Sequence, residues 1–256
     1  GLPGDPFPDK SALLVHIMQG WYERKRILDF GCGLGDFAAW MAAGAKSVTA
    51  VDYSKEAVTL ATQRHLPSST GNLDYQVRTE HDLPEGPFDL ITCIGVLEHT
   101  DDPSDMIGEF VKVLSPSGML IIQVPGWLNP RGEIYHTCRV LFGLKMTLSD
   151  RHWFTPRDME GIGRQYGLSI FRIAGGHFRL GWGDRMVPDI LERLEKAGVD
   201  TERLNVFTPW LEARASMTNL KLQPVPAAEV EKDFSDGMPW NLTGASTTYF
   251  IGRADK

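Results

Sequence analysis

The stretch that decides the fold is RILDFGCGLGDFAAWMAA, residues 26–43. Its apolar start predicts a β-strand, the alternate glycines Gly31, Gly33 and Gly35 predict a tight turn, and its alanine-rich end predicts a helix. Glycine suits a turn whose backbone takes positive φ or lets another group approach closely, and a helix start leaves backbone N–H groups unpaired. The stretch therefore predicts a strand, a turn and a helix across which a ligand with a polar or charged tail can lie.

An acidic residue at the end of the next strand adds the second part of a nucleoside site. Asp52 follows the strand pattern SVTAV, and a carboxylate in this place suits hydrogen bonds from ribose hydroxyls. The dinucleotide pattern GxGxxG is incomplete, because Asp36 stands where glycine or alanine is needed. A negative side chain at a helix start disfavours a pyrophosphate and favours a cation. A tight connection without a ligand is the alternative interpretation.

The composition limits the class of protein. The 256 residues, 42% of them hydrophobic, suffice for one large or two small domains with a substantial core. A formal net charge of −7 without a long run of Lys or Arg argues against nucleic acid as a partner and favours a small-molecule substrate. The three cysteines show no CxxC spacing, so we expect neither disulfides nor a zinc site, and a cytoplasmic location fits best. No apolar segment approaches the roughly 20 residues that cross a bilayer, so we expect no membrane partner.

The rest of the chain continues the alternation of strands and helices. Further strand patterns lie at 47–51, 73–77, 88–94, 119–124, 168–174 and 247–252. Helix patterns lie at 55–65, 104–114, 156–166, 184–197 and 209–222. This alternation predicts an α/β fold with a mostly parallel sheet, right-handed crossovers and helices on both faces. The aromatic segment 127–156 interrupts the rhythm and predicts a lid.

The patterns divide the chain into three parts. Residues 1–25 are expected to form an N-terminal tail and a helix laid across the entrance of the first strand. Residues 26–175 and 246–256 form the sheet domain, and 176–245 form a helical cap inserted between strands six and seven. Four aromatic residues are expected to form a small core of the cap: Trp182, Phe207, Trp210 and Trp240.

Four ordered motifs resemble those of the class I S-adenosylmethionine-dependent methyltransferases. They are DFGCGLG, TAVDYS, FDLITCIGVLEH and LSPSGMLII, and the resemblance covers residues 26–125 and extends to the final hairpin. It implies a Rossmann-like, seven-stranded sheet whose last strand is antiparallel and lies beside the fifth. It also implies S-adenosyl-L-methionine as the cofactor.

The resemblance assigns a set of residues to that cofactor. They are Asp29, Gly31, Gly33, Gly35, Asp52, Tyr53, His81, Asp82, Leu83, Cys93 and Ile94. The glycines are expected under the methionine end, Asp29 near the ammonium group, Asp52 at both ribose hydroxyls and Asp82 near the adenine amino group. Cys93 at the end of the fourth strand equally fits simple packing, because a free cysteine behaves as a small buried apolar group.

A second set of residues is expected to act on the acceptor. Methyl transfer depends mainly on alignment of the reacting atoms, and a base is needed only when the acceptor must lose a proton. His99 is the first candidate for that base, because sheets of this type bind ligands beyond the carboxyl ends of their strands. His136 and His152 in the lid are the other candidates. Tyr135 and Trp153 are further candidates for contact with the acceptor.

The acidic run around His99 allows two interpretations. Methyltransferases that act on catechol-like quinone precursors resemble this segment, and Glu98 could orient His99 or help to bind a divalent cation. A solvated loop that caps the next helix accounts equally well for Glu98, Asp101 and Asp102. We predict no metal.

The sequence thus predicts a cytoplasmic S-adenosylmethionine-dependent methyltransferase that acts on a small molecule, at an oxygen, in a biosynthetic pathway. A homodimer is compatible with it, and neither nucleic acid nor membrane is expected as a partner. Alternatives are N- or C-methyl transfer, cyclase-like chemistry with the same cofactor, and a binding module without an acceptor pocket. A nicotinamide-dependent dehydrogenase is a further alternative, which Asp36 disfavours.

Overall fold

An eight-stranded sheet forms the centre of the protein. The structure is a computed structural model that describes residues 15, 18–65, 71–126, 130–144, 150–176, 186–218, 229–231 and 246–253. The strands are β1 (Arg26–Phe30), β2 (Ser47–Asp52), β3 (Leu73–Val77), β4 (Phe88–Ile94), β5 (Leu114–Pro125), β6 (Leu168–Gly176), β7 (Glu229–Glu231) and β8 (Ser246–Arg253). Their order across the sheet is β3-β2-β1-β4-β5-β8-β6-β7.

The pairing of the strands confirms the predicted Rossmann-like fold. β1 to β5 pair in parallel, whereas β8 is antiparallel to both of its neighbours, β5 and β6. The position of β8 beside β5 is the one that the sequence resemblance implies. β7 is an addition to the predicted sheet, and it pairs antiparallel with β6 at the edge. Three residues are too few for a periodic pattern, so the sequence did not indicate it.

Seven α-helices lie in the described part of the chain. They are α1 (Asp36–Ala42), α2 (Lys55–Arg64), α3 (Pro103–Val113), α4 (Pro130–Phe142), α5 (Pro156–Gln165), α6 (Met186–Lys196) and α7 (Thr201–Thr218). Ser54, Asp102 and Thr155 each accept a hydrogen bond from a backbone N–H in the first turn of α2, α3 and α5. These caps explain why the three helices begin where the sequence indicates. None of the described helices is long and apolar enough to cross a membrane.

The start of α7 corrects one prediction. The sequence placed it at Pro209, but the helix begins at Thr201 and Pro209 lies inside it. Asp200 provides the start, because its carboxylate accepts a hydrogen bond from Arg203 N at 2.9 Å. Pro209 cannot donate to the carbonyl one turn earlier. Pro209 lies on the exposed face of the helix, where water can donate a hydrogen bond to that carbonyl instead.

Two hydrophobic clusters cover the two faces of the sheet. Leu28 and Phe30 of β1 belong to one cluster with Phe110 of α3, whereas Ile27 belongs to the other with Met41 of α1. Alternate residues of a strand point to opposite faces, so α1 and α3 lie on opposite sides of the sheet. Met18 and Trp21 join the cluster around Ile27. Most of the predicted N-terminal helix before them lies outside the described residues.

A third cluster joins α4, α6 and α7, and we call it the helical cluster. Its core includes Ile134 and Cys138 of α4, Ile190 of α6 and Leu211 of α7. Phe207 is buried in it and its ring lies 5.0 Å from that of Trp210, but this core is shared with α4, which the sequence placed outside the cap. Trp182 and Trp240 lie outside the described residues. The division of the chain into three parts stays a prediction.

Candidate active site

The glycine turn between β1 and α1 has positive φ at each of its three glycines. The φ angles are 76° at Gly31, 53° at Gly33 and 78° at Gly35. A Cβ on Gly31 would overlap the side chain of Val96, and one on Gly35 would lie 2.5 Å from the hydroxyl oxygen of Tyr75. A Cβ on Gly33 would meet no atom within 4 Å among the described residues. Two of the glycines therefore allow close packing, and the third borders open space that a ligand can fill.

Asp52 fixes this turn to the end of β2. One oxygen of its carboxylate accepts a hydrogen bond from Gly33 N at 2.9 Å, and the other accepts one from Ser54 N at 2.9 Å. The turn is held again by Val51, whose carbonyl accepts hydrogen bonds from Gly31 N and Cys32 N. Each carboxylate oxygen has a second lone pair, which suits a ribose hydroxyl.

Asp29 at the end of β1 is a buried carboxylate with one oxygen unsatisfied. The residue is 3% exposed. Its Oδ1 accepts a hydrogen bond from Thr92 Oγ1 at 2.7 Å, whereas Oδ2 has no hydrogen-bond partner among the described residues. The pKa of Asp29 is raised to about 6. Burial is the largest cause, the hydrogen bond from Thr92 opposes it, and the negative charge of nearby Asp52 adds to it. A buried, unsatisfied carboxylate oxygen is costly, so this position fits a cationic group such as an ammonium.

The charge at Asp36 is less available than the sequence suggested. Its carboxylate lies 3.3 Å from the guanidinium of Arg64 and 3.1 Å from Nε2 of His65, both at the end of α2. The ion pair partly compensates its charge. The preference of the turn for a cation therefore rests more on Asp29 than on Asp36.

The residues assigned to the adenine lie beyond β2 and β3. Tyr53 is 80% exposed and directly follows Asp52, so its ring is accessible to a ligand. Asp82 is exposed and pairs with Arg78 at 2.7 Å. His81 is exposed, and Leu83 is partly buried against the core of the sheet. These four adenine assignments stay predictions.

The end of β4 leads from the core to the candidate base. Cys93 is fully buried in the cluster around Phe110, and burial raises the pKa of its thiol. Ile94 is partly buried at the periphery of the opposite cluster. The carbonyl of Gln123 on β5 accepts a hydrogen bond from Gly95 N, and a single 3-10 turn, Leu97–His99, follows.

His99 lies between two carboxylates at this turn. Its Nδ1 is 3.3 Å from Oδ1 of Asp150, and its Nε2 is 3.8 Å from Oε1 of Glu98. The side chains of Glu98 and Asp150 are 4% and 10% exposed, whereas that of His99 is 37% exposed. Sequence reasoning missed Asp150, because it belongs to no periodic pattern or motif and only the tertiary contact reveals it.

Further contacts hold the lid segment that follows Asp150 against the same turn. The carbonyl of Glu98 accepts hydrogen bonds from Arg151 N at 2.8 Å and His152 N at 3.2 Å. Arg151 forms an ion pair with Asp101. Nε2 of His152 lies 2.9 Å from the carbonyl oxygen of Thr100, to which it can only donate. The structure therefore places His152 against Glu98 and Thr100, the two chain neighbours of His99, and its Nε2 holds the predicted lid to them.

His136 on α4 has a different environment. Its ring packs edge-on against Trp153 at 4.3 Å, and the guanidinium of Arg139 lies 4.3 Å from the centre of the same tryptophan ring. Burial, and secondarily the charge of Arg139, lowers the pKa of His136. Tyr135 is buried in the helical cluster. Contact of His136 or Tyr135 with the acceptor stays a prediction.

The spacing around His99 would also permit a metal ion. Glu98, His99 and Asp150 each place one possible ligand atom within 4.8 Å of the others, and a second, more exposed group of His81, Asp105 and Glu109 does the same. A histidine bracketed by two carboxylates is equally the arrangement of an oriented acid or base. The prediction that the protein uses no metal stays a prediction.

Comparison with known proteins gives the same assignment as the four motifs. The family model described as Methyltransferase domain matches residues 20–172. A ubiquinone biosynthesis O-methyltransferase of Pseudomonas aeruginosa strain LESB58 is 28% identical over 158 residues, 59% of this chain and 67% of the relative. A protein of the same name from Aeromonas salmonicida strain A449 is 29% identical over 161 residues, 60% of this chain and 67% of the relative.

Solved structures resemble the fold at low sequence identity. A possible histamine N-methyltransferase from Thermotoga maritima gives a TM-score of 0.59 at 16% identity, covering 97% of this chain and 92% of the other. Magnesium protoporphyrin IX methyltransferase from Synechocystis PCC 6803, with bound S-adenosylhomocysteine, gives a TM-score of 0.54 at 22% identity, covering 68% of this chain and 77% of the other. From its motifs, its sheet and its matching family model, the chain belongs to the Methyltransferase domain family and is a class I S-adenosylmethionine-dependent methyltransferase.

Proposed function

We propose that this protein transfers the methyl group of S-adenosylmethionine to a hydroxyl oxygen of a small-molecule acceptor in a biosynthetic pathway. The observation that carries the proposal is His99 at the carboxyl end of β4, bracketed by Glu98 and Asp150. A neutral amine can attack a methyl sulfonium while it keeps its protons, whereas a hydroxyl becomes a good nucleophile as it loses its proton. A histidine held in this place therefore favours an oxygen acceptor. The similarity to relatives named O-methyltransferases supports the same conclusion.

The residues assigned to the cofactor fit this activity. S-adenosylmethionine supplies a methyl group that is already activated on a sulfonium. The protein needs to hold the amino-acid tail and the nucleoside of the cofactor in a fixed geometry. This alignment lowers the activation barrier by several kcal/mol. Asp29 would bind the ammonium through the oxygen that lacks a partner, and Asp52 would bind the ribose beside the open space at Gly33. Tyr53 would pack against the adenine.

The decisive experiment compares an oxygen acceptor with a matched nitrogen acceptor. Wild-type protein is incubated with S-adenosylmethionine and either 3,4-dihydroxybenzoate or 3,4-diaminobenzoate, and mass spectrometry detects the gain of one methyl group. We expect methylation of the diol, and we expect His99→Gln to lose about 10²-fold in kcat on it while S-adenosylhomocysteine still binds. His152→Gln is the comparison variant, because its amide can still donate to the carbonyl of Thr100.

Three results would contradict the proposal. Methylation of the diamine alone would indicate a nitrogen methyltransferase. An unchanged kcat of His99→Gln on the diol would show that His99 is not the base. A product of unchanged mass would indicate the cyclase-like alternative, in which the same cofactor site supports chemistry without methyl transfer.

A further inference from the structure

We infer that Asp150 is the positioning residue for His99: its carboxylate accepts the Nδ1–H of the imidazole and leaves Nε2 unprotonated to face the acceptor. This inference rests on the proposed function and adds to it a residue of the lid. The two ring nitrogens of a neutral histidine are not equivalent, and the hydrogen bond at one nitrogen decides where the proton is. The protein therefore needs a carboxylate at one side of the ring to make the other side a base.

The distances around the ring favour Nδ1 as the protonated nitrogen. Nδ1 lies 3.3 Å from Oδ1 of Asp150, whereas Nε2 lies 3.8 Å from Oε1 of Glu98. The first distance is near the range of a hydrogen bond, and the second is beyond it. Asp150 is thus placed to accept the proton, and Nε2 keeps its lone pair.

Asp150 is held in this position by its neighbours in the chain. Arg151 N and His152 N both donate to the carbonyl of Glu98, and Arg151 pairs with Asp101. These contacts attach the lid to the turn that carries His99. A hydrogen bond between two groups on mutually fixed segments costs less conformational entropy than one between mobile groups. The carboxylate, 10% exposed, is also largely shielded from water.

The geometry gives His99 and its two neighbours separate roles. Nε2 of His99 takes the hydroxyl proton as the acceptor oxygen bonds to the methyl carbon, the carbon–sulfur bond pair passes to sulfur, and S-adenosylhomocysteine leaves. The imidazolium that forms lies between two carboxylates, which stabilise it by charge. Solvent then takes the proton, because His99 is partly exposed. Asp150 holds the ring, and Glu98 adds negative charge beside Nε2.

Nitrogen NMR of the histidine side chains tests the inference without any acceptor. Protein labelled with ¹⁵N in its seven histidines is measured with S-adenosylhomocysteine at pH 8 in buffer with EDTA, and the His99→Gln spectrum identifies the His99 signals. We expect wild-type His99 to carry its proton on Nδ1. In Asp150→Asn the amide can present its NH₂ to Nδ1, so we expect the form with the proton on Nε2 to appear. Asp150→Glu should restore the wild-type form at least in part.

Kinetics then test whether the tautomer matters. On 3,4-dihydroxybenzoate we expect Asp150→Asn to lose about 10²-fold in kcat with little change in KM, and Asp150→Glu to recover part of that loss. Asp101→Asn is the matched control, because it removes a negative charge from the same contact region, whereas its amide oxygen can still accept a hydrogen bond from Arg151 and keep the lid attached. It should keep both the tautomer and kcat. Thermal unfolding and S-adenosylhomocysteine affinity are measured for every variant, so that misfolding is recognised.

The possible outcomes separate this inference from the proposed function. A proton on Nε2 in wild type, or a tautomer unaffected by Asp150→Asn in folded protein, would overturn the role of Asp150. A loss of kcat without a tautomer change would assign Asp150 to lid structure alone and would overturn it as well. A diol that is not methylated, while the tautomer responds to Asp150 as expected, contradicts the proposed acceptor and leaves the positioning of His99 supported.

Discussion

At the scale of single residues, the proposed cofactor site contains two carboxylates in opposite states. Both oxygens of Asp52 accept backbone N–H groups, so this side chain is already satisfied in the absence of a ligand. Asp29 has one oxygen without a partner among the described residues and a pKa raised by burial. We therefore expect Asp52 to shape the turn at all times and Asp29 to gain a partner when a cation binds.

The raised pKa of Asp29 predicts that cofactor affinity falls in acid. Only the ionised carboxylate attracts an ammonium, so affinity should be full above about pH 6 and decline about tenfold per pH unit below it. In the protein without ligand, the stability of the fold depends on pH in the opposite direction to the cofactor affinity. A raised pKa contributes stability below the ordinary value of 3.8, and that contribution is lost as the pH rises through about 6.

Calorimetry with S-adenosylhomocysteine between pH 5 and pH 8 measures this dependence. Thr92→Val is a matched variant, because the Thr92 hydroxyl donates the hydrogen bond that lowers the pKa of Asp29. Its affinity should begin to fall at a higher pH than that of wild type. An affinity that is constant over this range in wild type would contradict the assignment of Asp29 to the ammonium.

Asp52→Ala should lower the affinity for the cofactor by about tenfold to a hundredfold. The substitution leaves Gly33 N and Ser54 N without their acceptor and removes the proposed partner of the ribose hydroxyls, and an unsatisfied buried polar group costs about 1–3 kcal/mol. Asp52→Asn keeps one acceptor oxygen and should lose less. Titration calorimetry measures both variants, and an unchanged affinity of Asp52→Ala would show that the ribose lies elsewhere.

At the scale of elements, the glycine turn separates two effects of one substitution. Gly31 and Gly33 both have positive φ, so replacement by alanine costs about 1–2 kcal/mol at either position. Only at Gly31 does the new methyl group also overlap Val96. Gly31→Ala should therefore lower the free energy of unfolding clearly more than Gly33→Ala, as measured in urea.

The open space at Gly33 gives the same pair of variants a second readout. Gly33→Ala should fold but place its methyl group in the space assigned to the cofactor, so its affinity for S-adenosylhomocysteine should fall. Equal losses of stability in the two variants would contradict the packing role of Gly31. An unchanged affinity of Gly33→Ala would contradict the ligand space beside the turn.

The elements also show what could be predicted from the sequence. The strands, the glycine turn and the starts of α2 and α5 were predictable, because their signals are local patterns of hydrophobicity and hydrogen bonding. The start of α7 was predicted wrongly, because the cap at Asp200 outweighs the proline inside the helix. The partner of His99 could not be predicted, since Asp150 is brought to it by tertiary contacts of the lid.

At the scale of the whole molecule, the residues assigned to the cofactor and two of the candidates for contact with the acceptor are supported by different hydrophobic clusters. The residues assigned to the cofactor lie at strand ends and turns of the sheet, whose two clusters are built around the strands. His136 and Tyr135 lie on α4, whose buried side packs in the helical cluster. Changes in the helical cluster can therefore alter the surroundings of His136 and Tyr135 while the sheet keeps the residues assigned to the methyl donor in place.

This separation predicts that the helical cluster opens as a unit of its own. Leu211 is fully buried there, and its replacement by alanine should cost about 2–5 kcal/mol through lost contacts and a cavity. If the cluster opens separately, Leu211→Ala should speed amide hydrogen exchange in α4, α6 and α7 and leave β1, β4 and β5 protected. Its affinity for S-adenosylhomocysteine should be unchanged. Leu90→Ala, at a fully buried position in the sheet, is the matched control and should speed exchange in the strands as well. If Leu211→Ala instead speeds amide hydrogen exchange equally in the strands and in the helices, the molecule opens as one cooperative unit. The helical cluster and the sheet then share a single free energy of opening.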